Sequence, residues 1–136
     1  MRFVDTNVFL RFLVNDEPEK ADACEMLFRR AISGEELLFT TDMVIAEIVW
    51  VLESYYELSK SAVREKLEKI LNTQNLDCPN KEIIINALSA YEEKNIDYID
   101  AYNASILRMK GIDEVYSYDR HYDRIKWIKR IEPVIL

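Results

Sequence analysis

Four acidic residues stand in apolar surroundings, where an isolated carboxylate would be costly to bury. Asp5 follows a short apolar run, Glu47 is the single charged residue in MVIAEIVWVL, Asp100 lies in YIDAYNASIL, and Asp119 follows VYSY. A buried carboxylate must be capped, paired with a base, protonated or bound to a cation. These four acids are therefore the candidate functional residues of the chain.

Glu47 is the hardest of the four to explain as an ordinary surface residue. Apolar residues cover nearly all sides of its predicted helix, and no Lys or Arg occurs from Thr40 through Ser59 to form a local salt bridge. The alternative is that Glu47 lies on a narrow solvent-facing stripe of that helix.

The other three acids each have a structural alternative as well. Asp5 and Asp119 could cap the helical segments that follow them, and Asp100 could form a capping box with Asp97. A shared site is nevertheless favoured, because all four acids have similar surroundings and two of them follow predicted parallel strands.

If the four carboxylates converge, they require a cation. Two carboxylates about 4 Å apart repel by roughly 4 kcal/mol at an effective dielectric constant of about 20. Hard oxygen ligands select Mg²⁺ or Mn²⁺. Such a site suits phosphodiester hydrolysis, because the ion lowers the pKa of the attacking water and stabilises charge on the phosphate.

The composition restricts the other chemistries. Among 136 residues there are two glycines, which excludes a P-loop or a Rossmann fingerprint. His121 is the single histidine, which excludes paired-histidine ribonuclease chemistry and a two-histidine zinc motif. Cys24 and Cys78 are isolated and are expected to be reduced structural residues. If the protein is an enzyme, carboxylates carry most of its chemistry.

The charge is unevenly distributed. The net charge of −7 is unexpected for a nucleic-acid binder, because phosphate contacts require Lys and Arg. One stretch near the C-terminus is basic, with Asp123 as its single acid. It is either a solvated face or a local phosphate-binding surface. The RNA-binding candidates in this stretch are Arg120, Arg124, Lys126, Lys129 and Arg130.

The order of elements predicts an α/β fold. Short strands alternate with helices, which favours a central parallel sheet of four to five short strands flanked by helices on both faces. The strands are predicted at about 2–5, 37–40, 76–78, 114–117 and 133–136. The helices are predicted at about 7–14, 18–33, 42–56, 59–72, 81–95 and 97–111, with a helical turn after Asp119. Sites in open parallel sheets lie at the carboxyl ends of strands, where Asp5 and Asp119 fall.

The length fits one domain spanning 1–136. The N-terminus lacks the pattern of a signal peptide, and no apolar run is long enough to span a bilayer. A cytoplasmic protein with no membrane association is therefore expected.

Four ordered blocks resemble the PIN-domain family, and within it the VapC-like toxins of type II toxin–antitoxin systems. The blocks are FVDTNVFLRFLVNDEPEKA, VIAEIVWVL, IDYIDAYNASIL and VYSYDRHYDRI. Each contains one of the four acids, and the resemblance covers essentially the whole chain.

The resemblance implies a parallel sheet flanked by helices and a ribonuclease that depends on Mg²⁺ or Mn²⁺. The catalytic acids of the family, which bind the metal, fall on Asp5, Glu47, Asp100 and Asp119. The usual Phe after the fourth acid is replaced by Tyr122. Supporting polar positions fall on Thr6, Asn7 and Ser117, with Asp123 as a less regular additional acid.

The resemblance also implies an RNA substrate, a small antitoxin protein as partner and a homodimer. Apolar residues on the first helices are more numerous than one thin domain obviously needs, although ordinary core packing is an alternative. These residues are Phe9, Phe12, Leu13, Trp50, Tyr55 and Tyr56.

Three other functions compete with this interpretation. A housekeeping RNA-processing PIN nuclease and a non-catalytic PIN-fold binding module share the same fold. A haloacid-dehalogenase-like phosphatase also begins with an Asp at a strand end, but it requires a second Asp where Asn7 stands. A neighbouring gene for a small antitoxin would discriminate among the PIN-fold alternatives.

Overall fold

The computed structural model describes residues 1–135, which fall into two compact units. The first unit is Met1–Lys81, and the second begins at Glu82. No helix in the described chain is both long and apolar enough to cross a bilayer.

Six α-helices and five short strands make up the regular structure. The helices are α1 (Thr6–Leu13), α2 (Pro18–Ile32), α3 (Asp42–Ser54), α4 (Lys60–Leu71), α5 (Lys81–Glu93) and α6 (Tyr98–Lys110). The strands are β1 (Arg2–Phe3), β2 (Leu38–Phe39), β3 (Leu76–Asp77), β4 (Glu114–Tyr116) and β5 (Lys129–Ile131). A 3₁₀ helix at Arg120–Arg124 connects the last two strands.

The first unit contains a parallel three-stranded sheet in the order β1-β2-β3. Arg2 pairs with Leu38, and Leu38 in turn pairs with Leu76. Parallel neighbours need a long crossover, and two helices occupy each one here. The carboxyl ends of the three strands therefore lie at one edge of this sheet, and Asp5 follows one of them.

The core of the first unit is assembled by the apolar faces of its helices. Phe9 of α1 stacks on Phe28 of α2 with 5.5 Å between the ring centroids. Burial of one large apolar side chain stabilises a fold by about 1.5–3 kcal/mol. Helix α3 contributes a continuous buried face of Val44, Ile45, Ile48, Val49 and Leu52.

The second unit is built from α5, α6 and the parallel pair β4-β5. Tyr91 of α5 is fully buried and meets the ring of Tyr98 edge-on. Helix α6 ends at Gly111, whose φ of 70° is the left-handed conformation that favours glycine at a helix end. The two candidate site acids of this unit are Asp100, on α6, and Asp119, three residues after β4.

The predicted class, mixed α/β with short parallel strands, is confirmed, and all six helices form within two residues of their predicted ends. The strands described here form two sheets, of three and two strands, rather than one.

The predicted strand at 133–136 is wrong. The strand forms at Lys129–Ile131 instead, residues 133–135 have no regular structure, and Leu136 lies outside the described residues. Pro133 has no N–H to donate to a ladder. The ladder uses earlier groups, since Lys129 N–H donates to Asp113 O and Ser117 N–H donates to Ile131 O.

Candidate active site

Asp5 directly precedes α1 and caps it. Its Oδ1 accepts the N–H of Thr6 at 2.8 Å. The Asp5 side chain is exposed, and within residues 1–135 its Oδ2 has no hydrogen-bond partner. The capping role is therefore real, yet it uses one oxygen and leaves the other for a ligand. Thr6 is buried and Asn7 is exposed in the same helical turn.

The backbone before Asp5 is held by a buried hydroxyl that the sequence did not single out. Thr40, which is 0% exposed, donates from Oγ1 to the carbonyl oxygen of Val4 at 2.9 Å. The N–H of Val4 donates to Phe39 O at 2.8 Å. Because both bonds act on the residue before Asp5, they fix where its carboxylate emerges from the sheet.

Glu47 lies on α3, whose first turn is capped by Thr41 Oγ1, which accepts the Val44 N–H at 3.2 Å. The expectation of apolar surroundings is wrong, because Glu47 is exposed together with Met43 and Trp50. Their spacing of four and three residues defines one face of a helix. The narrow solvent-facing stripe is thus present, and its carboxylate has no ion-pair or hydrogen-bond partner within the described chain.

The carboxyl groups of Asp100 and Asp119 share a hydrogen bond in the second unit. Burial raises the pKa of Asp100, and the hydrogen bond to Asp119 and the negative charge of Asp119 raise it further. The pKa of Asp119 is lowered, first by the backbone N–H of His121 and then by its ring. Of these two acids, Asp100 is therefore the one that takes up a proton first as the pH falls.

Asp119 is held from both sides. Its backbone N–H donates to Ser117 Oγ at 3.0 Å. Its Oδ1 accepts the N–H of His121 at 2.9 Å and lies 2.6 Å from His121 Nδ1. Asp119 thus caps the 3₁₀ helix as the sequence allowed, while Ser117 fixes the backbone of the same residue.

Tyr122 and Asn103 complete the surroundings of Asp100, and sequence reasoning had not placed either of them there. The Tyr122 hydroxyl, on a buried side chain, donates to the Asp100 carboxyl and accepts from Asn103 Nδ2 at 3.5 Å. Burial raises the pKa of Tyr122, so the phenol stays protonated and able to donate. The position of Asn103 could have been predicted from the sequence, because Asn103 lies three residues after Asp100 and shares its helix face.

The basic stretch is only partly available to a ligand. The Arg130 side chain is 13% exposed and donates to Asp123 at 3.1 Å, Glu132 at 2.7 Å and Ser117 O at 3.0 Å. Arg124 donates to the carbonyl oxygen of Asn95. The members of the stretch that remain exposed without such contacts are Arg120, Lys126 and Lys129. Binding of RNA by any of the five stays a prediction.

The donor set has the chemistry that a hard divalent cation prefers. Across residues 1–135, no three His, Cys, Asp or Glu side chains lie close enough together to hold a metal ion. The structure does bring Asp100 and Asp119 together, close enough for each carboxyl group to shift the pKa of the other. A neighbouring negative charge disfavours the ionised form of a carboxyl group, and a neighbouring positive charge favours it. A divalent cation fits this pair, because its charge would offset the repulsion between the two carboxylates.

A sequence model of the PIN domain matches residues 2–128, and the chain belongs to this family. The predicted resemblance is thereby confirmed, and the matched range includes residues of both units. A VapC ribonuclease from Aquifex aeolicus (strain VF5) is 30% identical over 133 residues, covering 98% of this chain and 97% of that protein.

Among solved structures, the chain is similar to Mycobacterium tuberculosis VapC20, described as a toxin that cleaves the sarcin-ricin loop. The identity is 16% and the TM-score is 0.41, with 94% of this chain and 97% of that chain covered.

Proposed function

We propose that this protein is a metal-dependent endoribonuclease that hydrolyses RNA phosphodiester bonds and acts as the toxin of a toxin–antitoxin pair. Membership of the PIN family and the near full-length relationship to a VapC ribonuclease support the proposal. The observation that carries it is the Asp100–Asp119 pair, two carboxyl groups held together in a conformation that a cation would stabilise.

The proposal assigns Mg²⁺ or Mn²⁺ to Asp5, Glu47, Asp100 and Asp119. A divalent ion at these oxygens supplies positive charge that activates water and stabilises the departing oxygen. Neighbouring residues orient two of these acids through hydrogen bonds. The Thr6 N–H donates to the Asp5 carboxylate, and the Ser117 hydroxyl accepts the backbone N–H of Asp119.

In the metal-free protein, the raised pKa of Asp100 makes it a stronger base than Asp119. The Tyr122 hydroxyl orients one of the Asp100 carboxyl oxygens. Asp123 takes a supporting role, because its carboxylate is paired with Arg130. Asn7, exposed in the first turn of α1, is assigned to polar contacts with substrate or metal-bound solvent.

The proposal includes one domain over 1–136, cytoplasmic action on RNA, a small antitoxin and a homodimer. The first unit offers apolar surface for a protein partner. Trp50 and Tyr55 are 67% and 76% exposed, whereas Phe9 is fully buried and belongs to the core. A groove of about 480 Å³ lies between α1 and α4 and includes Phe12 and Leu13. A partner helix placed on such surface would bury its own apolar face.

The proposal is tested by incubating the purified full-length chain with structured and single-stranded RNA in Mg²⁺ or Mn²⁺. Internal cleavage, silenced by titration with the product of a small adjacent gene, is the expected result. Internal cleavage without any such adjacent gene would contradict the toxin assignment and favour a housekeeping nuclease. Tight partner binding with no cleavage of any RNA would instead favour a non-catalytic binding module.

A further inference from the structure

A groove of about 690 Å³ lies within the second unit, between α5, α6 and residues 125–127. Its floor includes small or apolar residues such as Ala90 and Ala104, and Trp127 forms part of one wall. The guanidinium of Arg108 lies 5.3 Å from the centroid of the Trp127 ring. The groove therefore contains an aromatic ring that makes a cation–π contact with Arg108.

Cations are the distinctive charged groups of this groove. Arg108, Lys94 and Lys126 line it, and all three are exposed. Within residues 1–135, neither Lys94 nor Lys126 has an ion-pair partner. Two acids, Glu82 and Glu93, also line the groove, but they are eleven residues apart on α5, which corresponds to about 16 Å along the helix axis. They therefore form no acidic cluster that would repel an anion.

The groove shares a helix with the candidate active site. Asp100 and Arg108 are both on α6, eight residues apart, which corresponds to about 12 Å along the axis. Lys126 and Trp127 follow the 3₁₀ helix that Asp119 caps. The groove and the carboxylate pair are therefore built from the same two segments of the second unit, about 12 Å apart along α6.

We propose that this groove binds a single-stranded segment of the RNA substrate, outside the bond that is cleaved. A base stacks on Trp127, and Arg108, Lys94 and Lys126 contact the flanking phosphates. Single-stranded nucleic acids bind in this way, on positive grooves with aromatic side chains, and with little dependence on sequence. The inference rests on the proposed ribonuclease function and adds a binding subsite to it.

Binding is measured without cleavage, in EDTA, with a short fluorescein-labelled oligouridylate as the probe. Trp127→Ala in the full-length chain should weaken binding by roughly 5- to 150-fold, the loss expected for one base–aromatic stack. Arg108→Gln should also weaken binding. Lys126→Gln should lower the slope of log affinity against log salt by about 0.7, because one phosphate contact is lost. Circular dichroism establishes that each variant is folded.

Lys110→Gln is the matched control, because Lys110 is an exposed lysine at the end of α6 outside the groove. A direct signal comes from Trp50→Phe, which leaves Trp127 as the single tryptophan of the chain. Stacking of a base should then quench the remaining tryptophan emission. Lack of quenching, together with Arg108→Gln and Lys126→Gln binding like Lys110→Gln, would overturn the proposal. It would also be overturned if Trp127→Ala altered self-association instead of RNA binding.

The two levels of the proposal fail in different ways. If groove variants lose oligonucleotide binding while the wild-type chain cleaves no RNA in Mg²⁺ or Mn²⁺, the subsite stands and the nuclease function falls. If the wild type cleaves RNA and the groove variants keep its KM, the nuclease function stands and the subsite falls. With both correct, the groove variants raise KM and change kcat little.

Discussion

The guanidinium of Arg130 donates a hydrogen bond to the carbonyl oxygen of Ser117 at 3.0 Å. The hydroxyl of Ser117 accepts the N–H of Asp119 at 3.0 Å. Arg130 is therefore linked through Ser117 to one acid of the candidate site. Its remaining donors contact Asp123 and Glu132. These contacts give Arg130 a positioning role within the protein, in addition to the predicted contact with RNA.

Arg130→Ala should weaken Mn²⁺ binding, because the backbone that holds Asp119 loses its support. Lys129→Ala is the matched control, since Lys129 is an adjacent, exposed cation on the same strand. Electron paramagnetic resonance titration of Mn²⁺ provides the measurement, and Arg130→Lys should recover part of the affinity. Equal Mn²⁺ affinity in both alanine variants would show that Arg130 does not position Asp119.

Asp5→Asn should remove most of the ribonuclease activity and leave the fold intact. Asparagine is as good a helix cap as aspartate, so α1 keeps its first turn. Loss of a residue that hydrogen-bonds to a metal ligand typically lowers metal affinity or activity by about 10- to 100-fold. Loss of a ligand itself should therefore lower activity on the order of 100-fold or more. Single-turnover cleavage is measured beside Asp22→Asn, an exposed acid of α2. Wild-type turnover by Asp5→Asn would exclude Asp5 as a ligand.

Asp100→Asn should stabilise the metal-free protein at neutral pH. The folded-state pKa of Asp100 is raised, so its ionised form destabilises the fold above that pKa, and the cost disappears as the pH falls through it. The advantage of Asp100→Asn should therefore shrink as the pH falls through the raised pKa of Asp100. Thermal unfolding in EDTA measures this, with Asp113→Asn as an exposed control from the same unit.

Asp119→Asn should behave in the opposite way. The pKa of Asp119 is lowered by His121, so its ionised form contributes stability above the unfolded pKa, and this is lost as the pH falls through the folded value. The variant should be less stable than wild type at neutral pH and should approach it in acid. Stabilisation by both substitutions at neutral pH would contradict the opposite pKa shifts of Asp100 and Asp119.

Tyr122→Phe should raise the pKa of Asp100 further, because the hydroxyl that stabilises its ionised form is removed. A metal ion must displace the proton from Asp100, so Mn²⁺ affinity should fall several-fold, and most strongly at low pH. Mn²⁺ titrations at several pH values measure the effect, and Tyr118→Phe, an exposed tyrosine nearby in sequence, is the control. A pH-independent change in affinity would contradict this role.

The positions of Asp5 and Asp119 were predictable from the sequence, because strand ends and helix starts are local patterns. The surroundings of Asp100 were not predictable in the same way. Its hydrogen bond to Asp119 joins residues nineteen apart and depends on how α6 meets the end of β4. Local sequence periodicity contains no information about such a contact.

Two other features show the same limit. Arg130 reaches Ser117 because β5 pairs with β4 in one particular register, with Val115 opposite Arg130. The sequence shows a run of cations, but the register of β4 and β5 depends on tertiary structure that local patterns do not encode. Glu47 was expected in an apolar environment, yet it lies on the exposed stripe of α3. A helix rich in apolar residues still has one face toward solvent, and composition does not say which.

The central claim is that carboxylates of this chain hydrolyse RNA through a bound divalent cation. The most direct measurement is the rate of RNA cleavage by EDTA-treated, full-length protein as Mn²⁺ or Mg²⁺ is added back. We expect no cleavage in EDTA, recovery of cleavage on addition of either ion, and little recovery in Asp5→Asn or Asp119→Asn. An undiminished rate of cleavage in EDTA would contradict it.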